Sequence, residues 1–506
     1  MSIDPPRFLV EIVIVTLVIR AIATGGTEMK IIKMALLVGT AIAISTAGAH
    51  ADDLSDLKAQ VESLNVRMAA MEAAPTVPTG YELLAIAKGE ALQVPGMMGA
   101  DRDRVVSVNA TIMSVMPTAD APAGTKISWS GYVRAAIVYN GTKGDNTLTR
   151  SDRGEVTEKV RDSTDINDWD VKTRGQLQVV ATTDTAVGEV GVKLKMRADF
   201  DGNGNADLYM KEAWGYWAMT PELTLGGGYT KSLGNILYGY DGACTCYYTD
   251  DKTDVDFDPG DTTQMRLSYA SGPFSMAIAL EDASKNNGLV GDKGSTQKNG
   301  NNLGVAGAIK YKGDSFSGEI AGVYRSVNDS DYTFDDPYGS GKIYPNINAL
   351  WQLGAGLAFD LGDLASLSLA AAFGEGPYQT VGSSGDIYNS YPVNNKWWGL
   401  SGLASANLSD TVHAETGLGY KHREGDSYND SLYHYDGFSY DTWAILGGVY
   451  YTPVDQLTIG VEGEWYTQMT DDQRTGRTGT EAENFKDNLN VTNDNWTVDL
   501  VSVWRF

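Results

Sequence analysis

From Ile127 to Phe506 apolar residues return at nearly every second position, with polar residues between them. Trp496, Val498, Leu500, Trp504 and Phe506 share one face, and Asn495, Thr497, Asp499 and Arg505 share the other. Ser502 is the one interruption on the apolar side. A period of two belongs to a β-strand. The same alternation sets Ile127, Trp129, Val133, Ile137 and Tyr139 against Ser128, Ser130, Tyr132 and Arg134. It recurs over 190–200, 274–281 and 457–465. A tilted strand of about ten residues crosses the hydrocarbon core of a bilayer. The chain therefore reads as a membrane β-barrel, although a soluble sandwich would alternate in the same way.

The connections separate the two. Short turns are expected near Thr185, Pro221, Gly272, Gly313, Gly362, Asp410 and Pro453. Long polar loops are expected at 140–169, 201–208, 231–262, 282–302, 326–346, 374–396, 423–440 and 469–494. Seven turns alternate with eight loops, which predicts sixteen antiparallel strands with both ends on the short-turn side. Outer-membrane barrels are built with short periplasmic turns and longer external loops. A soluble β-protein has no reason to sort its loops by face. Trp129, Tyr139, Trp217, Trp351, Trp398, Trp443, Tyr451, Trp465 and Trp496 fall near the apolar-face ends of these strands. Rings in those places suit the headgroup boundary.

The region before the strands is organised differently. Residues 29–51 read as a secretory signal: Lys30 and Lys33, an apolar core from Met34 to Ile44, and cleavage between Ala51 and Asp52. Residues 1–28 are expected to be a mis-assigned extension, translation starting at Met29. From Asp52 to Ala73 apolar residues step by three and four, as in Leu54, Leu57, Val61, Leu64, Met68 and Met71. That spacing suits a short coiled coil or an ordinary amphipathic helix packed on the domain, the first being favoured because Pro75 and Pro78 cut it off. Residues 74–125 form a connector, taken as periplasmic and without an assigned fold, and the barrel domain runs over 126–506. The predicted fold class is thus all-β, a transmembrane antiparallel barrel with a short N-terminal periplasmic coiled-coil helix.

Composition narrows the function. The 506 residues carry a formal charge of −26, which disfavours nucleic acid as a partner. Mean hydropathy is −0.24, so no bundle of apolar helices is present. Barrels escape that test because only alternate residues face lipid. No HExxH, Gly-x-Ser-x-Gly or phosphate-binding Gly loop occurs, and no cofactor, metal or enzymatic activity is expected. Cys244 and Cys246 are the only cysteines. A disulfide two residues apart would close a strained ring, yet it could form in an oxidising compartment.

The chain resembles the general porins of alphaproteobacterial outer membranes. The resemblance rests on the signal and short heptad, the strand opening Ser130-Gly131-Tyr132-Val133-Arg134, the long third loop and Trp504-Arg505-Phe506. It implies a sixteen-stranded homotrimeric barrel set in outer-membrane lipid. It also implies that Phe506 is the signal read by the barrel-assembly machinery, and that the third loop, 231–262, folds into the lumen.

That loop carries Asp241, Asp250, Asp251, Asp254, Asp256, Asp258 and Asp261. Arg134, Lys172, Arg174, Lys193, Lys195, Arg197 and Arg266 all alternate onto the water-facing side of their strands. With the loop inside, acids would face bases across a constriction, and the transverse field would sort solutes by charge and polarity. The expected function is passive diffusion of ions and small hydrophilic solutes, with cations preferred. Two alternatives stay open. Tyr238, Tyr240, Tyr247 and Tyr248 suit a sugar-selective channel. The heptad and connector suit a tether between outer membrane and cell wall.

Overall fold

The computed structural model describes residues 83–95, 110–116, 124–152, 155–201, 206–235, 247, 259–282, 303–326, 334–335, 342–343, 349–362, 364–379, 392–429, 433–476 and 485–506. All of them fall in one unit, 79–117 with 123–506. The predicted helix Asp52 to Ala73, the acids Asp241, Asp250, Asp251, Asp254, Asp256 and Asp258, and both cysteines lie outside the described residues.

Sixteen strands form one antiparallel ring. The first eight are β1 (Thr125–Asp152), β2 (Glu155–Thr185), β3 (Gly188–Asp201), β4 (Ala206–Ala218), β5 (Leu223–Lys231), β6 (Asp261–Ser271), β7 (Phe274–Asp282) and β8 (Leu303–Lys312). The rest are β9 (Phe316–Ser326), β10 (Ala349–Asp360), β11 (Ala365–Gln379), β12 (Pro392–Ser409), β13 (Val412–Gly425), β14 (Tyr433–Val454), β15 (Leu457–Gly476) and β16 (Phe485–Arg505). Each pairs with its neighbour in sequence, and β16 closes the ring on β1 from Tyr132↔Arg505 to Asp152↔Phe485. Closure leaves no free edge in the bilayer, where an unpaired peptide group would find no water.

Alternation along each strand sorts the residues. Val133, Ile137, Leu194, Ile278, Leu400, Val461 and Leu500 are exposed on the outside. Arg134, Lys195, Gln264, Glu281, Glu462 and Asp499 are buried on the inside. This inverts a soluble protein, as expected when hydrocarbon is the outer solvent. The aromatic residues expected at the headgroup boundary lie on the outer face, Trp129, Trp217, Trp398, Trp443, Tyr451 and Trp465 among the exposed ones.

The two sequence motifs that open and close the pattern meet at the seam. Trp504 lies opposite Val133, and the Phe506 amide donates to the Gly131 carbonyl at 3.1 Å. A Cβ on Gly131 would stand 2.5 Å from the Gln176 carbonyl and 2.6 Å from the Phe506 ring, so the small residue makes room for that ring.

Several regions differ from expectation, among them the loops expected at 423–440 and 469–494, much of which is strand, with β14 beginning at Tyr433, β15 running to Gly476 and β16 beginning at Phe485. The described residues of the loop expected at 140–169 are strand: β1 and β2 continue as a ribbon, with Asn140 opposite Asp168 and Asp152 opposite Glu155. Pairing of β1 with β16 runs along the same stretch, which supplies a template that polar composition does not announce. The connector also carries structure, a hairpin of Leu83–Gly89 and Ala110–Met116. Its second strand pairs with β1 from Val115↔Thr125 to Thr111↔Trp129, below the point where β16 ends.

Candidate functional site in the lumen

The inner wall is chemically divided. On β1–β3 it is basic. Arg134 and Arg174 are cross-strand partners, and Lys172, Lys193, Lys195 and Arg197 complete the sector. Several of the long side chains are steered by a polar neighbour. Arg174 pairs with Asp199. Lys193 and Lys195 converge on Glu212 of β4 at 2.7 and 3.4 Å. Arg197 donates to Gln176 Oε1 from Nε and Nη2, at 3.0 and 2.8 Å. Arg266 of β6 donates to Gln264 Oε1 and stands 5.2 Å over the Trp214 ring.

Acids occupy a second sector, on β13, β15 and β16, which sequence reasoning missed. Glu415, Glu462, Glu464 and Asp499 are all buried there, and Glu462 lies opposite Asp499. The Tyr450 hydroxyl stands 2.9 Å from Glu462 and 3.1 Å from Glu415, so one proton serves two carboxylates. The missed signal was present: all four side chains alternate onto the water-facing side of their strands.

A third sector, on β7, β8, β9 and β11, is lined by Ala277, Ala279, Ala306, Ala308, Ala321, Ala370 and Ala372. Leu233, from the N-terminal root of loop 231–262, is fully buried among them. Gly234 beside it approaches β9 so closely that a Cβ would lie 2.4 Å from Val323 Cβ.

Both roots of this loop are held by the wall. Glu281 accepts from the Ser232 hydroxyl and from the Leu233 amide, each at 2.9 Å. Arg325 donates from Nη2 to Glu281 Oε2 at 2.8 Å and from Nη1 to the Pro259 carbonyl at 2.7 Å. Neither side chain of this ion pair reaches solvent. Gln352 donates to the Gly234 carbonyl at 2.8 Å. Across the ring, Tyr247 of the same loop rests on the acidic sector. Its amide donates to Glu462 Oε1 at 2.7 Å, its hydroxyl accepts from Arg505 Nη2 at 2.7 Å, and its ring meets Tyr450 edge-on at 5.6 Å. The described residues of the loop thus stand inside the barrel, against different walls.

Among the described residues no group of acids, histidines or cysteines is arranged to hold a metal ion. His413, the histidine on the lumen side, lies 3.4 Å from Glu415 and stacks near Tyr450. What the described lumen offers is a wall of charged and polar side chains, with Ser232, Leu233 and Tyr247 of loop 231–262 held against it.

Three solved structures illustrate the likeness to known barrels. In-vitro folded OmpT, an outer membrane protein of Vibrio cholerae, matches at 12% identity over 76% of this chain and 98% of its own, with a TM-score of 0.44. The outer membrane channel DcaP of Acinetobacter baumannii matches at 14% over 76% and 97%, TM-score 0.42. An anion-selective porin from Comamonas acidovorans matches at 11% over 76% and 100%, TM-score 0.41. At these scores the likenesses assign no property to this chain. No curated protein matches it. A family model described as the porin subfamily matches residues 123–497, most of the chain and nearly all of the barrel. The chain belongs to that subfamily and is an outer-membrane channel of the multi-pass β-barrel kind.

Proposed function

We propose that this channel admits ions and small hydrophilic solutes by passive diffusion, prefers cations, and is narrowed by loop 231–262. The observation that carries the reading is the loop itself, anchored at Ser232 and Leu233 on one wall and at Tyr247 on another. Its aspartates at 241, 250, 251, 254, 256 and 258 would then bring negative charge to the narrowest section. The acidic sector around Glu462 and Asp499 favours cations as well, while the basic sector on β1–β3 supplies the opposite side of a transverse field. Such a field orders water and disfavours apolar solutes, which cannot replace it.

The short heptad at 52–73 supports a homotrimer, and the seam built from the Ser130–Arg134 motif and Phe506 supports reading Phe506 as an assembly signal. Membership in the alphaproteobacterial general porins is part of the same proposal.

Purified protein in a planar bilayer should open in steps and give a cation-preferring reversal potential in a salt gradient. No conductance at any voltage would defeat the reading. Replacing Asp254, Asp256 and Asp258 by Asn should weaken the preference; an unmoved reversal potential would remove the loop acids from the constriction. Block by sugar at low concentration would instead favour a substrate-selective channel.

A further inference from the structure

We infer that the outer edge of β2 from Glu158 to Asp168 is a docking strip for an extended basic polypeptide segment, which adds to it as one more β-strand on the long-loop side of the barrel.

The unequal reach of neighbouring strands leaves this edge open. β2 pairs with β1 in unbroken register from Thr183 opposite Thr125 to Glu158 opposite Arg150, where a bulge follows. β3 covers the other side of β2 only from Gly188 opposite Thr185 to Asp201 opposite Lys172. Past Lys172 no strand among the described residues lies on that side. Tyr139 and Trp169 face each other at the headgroup boundary, their ring centroids 4.8 Å apart. The strip beyond them is about 35 Å long at the usual rise per residue. Every side chain from Glu158 to Asp168 except Thr164 is exposed. Val160 and Ile166 are 42% and 58% exposed. Peptide groups open along one edge, beside apolar side chains left in water, make a template for a further strand.

The faces of the strip state what the added strand must carry. Glu158, Val160, Asp162, Thr164, Ile166 and Asp168 share one face, so acids and apolar residues are interspersed there with no base. On β1 the same face offers one cation, Arg150, whose Nη1 lies 2.6 Å from Glu158 Oε2. Asp162 and Asp168 lie opposite the uncharged Asn146 and Asn140. A strand with basic residues set between apolar ones would complement this face, while main-chain hydrogen bonds supply the affinity. A second copy of this chain fits less well. Two strips paired antiparallel about their centre would set Glu158 against Asp168 twice, and like charges directly opposite each other are destabilising. The whole chain is also acidic, at −26.

The test is an anisotropy titration of the purified full chain with a fluorescent eleven-residue peptide. One face of the peptide carries lysine, valine, threonine, lysine, valine and lysine, to oppose Asp168 back to Glu158, with serines between them. It should bind saturably, one peptide per chain, and more tightly at low salt. Glutamates in place of its lysines should weaken binding about tenfold, because like charges then oppose across the strand pair. Methylating its amide nitrogens at alternate residues should abolish binding for one of the two alternate sets and spare it for the other, since an added strand is held by a single edge. The double variant Asp162→Lys with Asp168→Lys, both positions exposed, should transfer the preference to the glutamate peptide. Absence of saturable binding, or binding indifferent to both methylated sets, would overturn the inference. A charge-reversed variant that still prefers lysine would overturn it too, by placing the peptide elsewhere on the acidic surface. Disulfide joining of Ile166→Cys between copies, prevented by the peptide, would make a second copy the occupant in its place.

Discussion

On β1–β3 the lumen face carries Arg134, Lys172, Arg174, Lys193, Lys195 and Arg197; on β7, β8, β9 and β11 the same face carries alanines. Backbone geometry is alike in both sectors, and so is the apolar outer face. The difference is what each wall has to meet. Long charged side chains on the first wall present a field to the pathway, with Arg174, Lys193, Lys195 and Arg197 steered by a neighbouring carboxylate or amide. The short side chains of the second leave room for a chain segment, and Leu233 with its clamp occupies it. A barrel interior of fixed diameter cannot be lined by long residues everywhere and also admit a loop. Small residues leave the room that Leu233 takes, and the charges beside it, Glu281 and Arg325, are paired with each other and with the roots of the loop.

Changes in the alanine sector should therefore act mainly on folding, and changes in the basic sector mainly on selectivity. The largest effect is expected from Arg325→Met alone. It leaves Glu281 buried without its counter-charge, a loss of about 3–5 kcal/mol. Urea or heat denaturation of the folded barrel should register it. A wild-type midpoint would mean that the pair is not buried as described.

Next comes Ile278→Lys, on the outer face of β7 directly beside the inward Ala277 and Ala279. A lipid-facing lysine near mid-bilayer costs about 2–4 kcal/mol. Folding into vesicles should suffer, while Ala279→Ser, one position along and facing inward, should fold normally. Equal behaviour of the two would undo the assignment of faces.

A smaller effect is expected for Ala308→Phe, which places a ring where Leu233 sits. Overpacking of this kind costs about 1–3 kcal/mol. Its sharper readout is conductance, because the root of the loop must shift to admit the ring. The smallest change in stability should follow Lys195→Gln, since Glu212 keeps Lys193 at 2.7 Å. The reversal potential should nonetheless move toward stronger cation preference. A shift from Ala308→Phe alone, with none from Lys195→Gln, would reverse the division of labour between the sectors.

Much of the wall is legible in the amino-acid sequence. Counting in twos places Lys193, Lys195 and Arg197 on the water side, and their β3 neighbours Val192, Leu194 and Met196 toward lipid. Local breaker residues mark the turn near Pro221 and the one near Gly272. The ribbon over 140–169 is not legible. Above the bilayer both of its faces meet water, so the hydrophobic signature disappears and only pairing with β16 shows it to be strand. The hairpin at 83–116 escapes for a related reason, its order depending on the edge that β1 offers below Phe506.

Local periodicity was enough to determine which side of each strand meets hydrocarbon, how many times the chain crosses, and at which end the crossings turn tightly. Those properties follow from alternate side chains pointing to opposite faces, and each can be read within a window of about ten residues. Only the closed ring decided which wall carries the loop. Glu281 meets Ser232 across 49 residues, and Glu462 meets the Tyr247 amide across 215. Contacts over such separations leave no trace in a pattern of period two, because they arise when closure brings distant strands to face a common lumen.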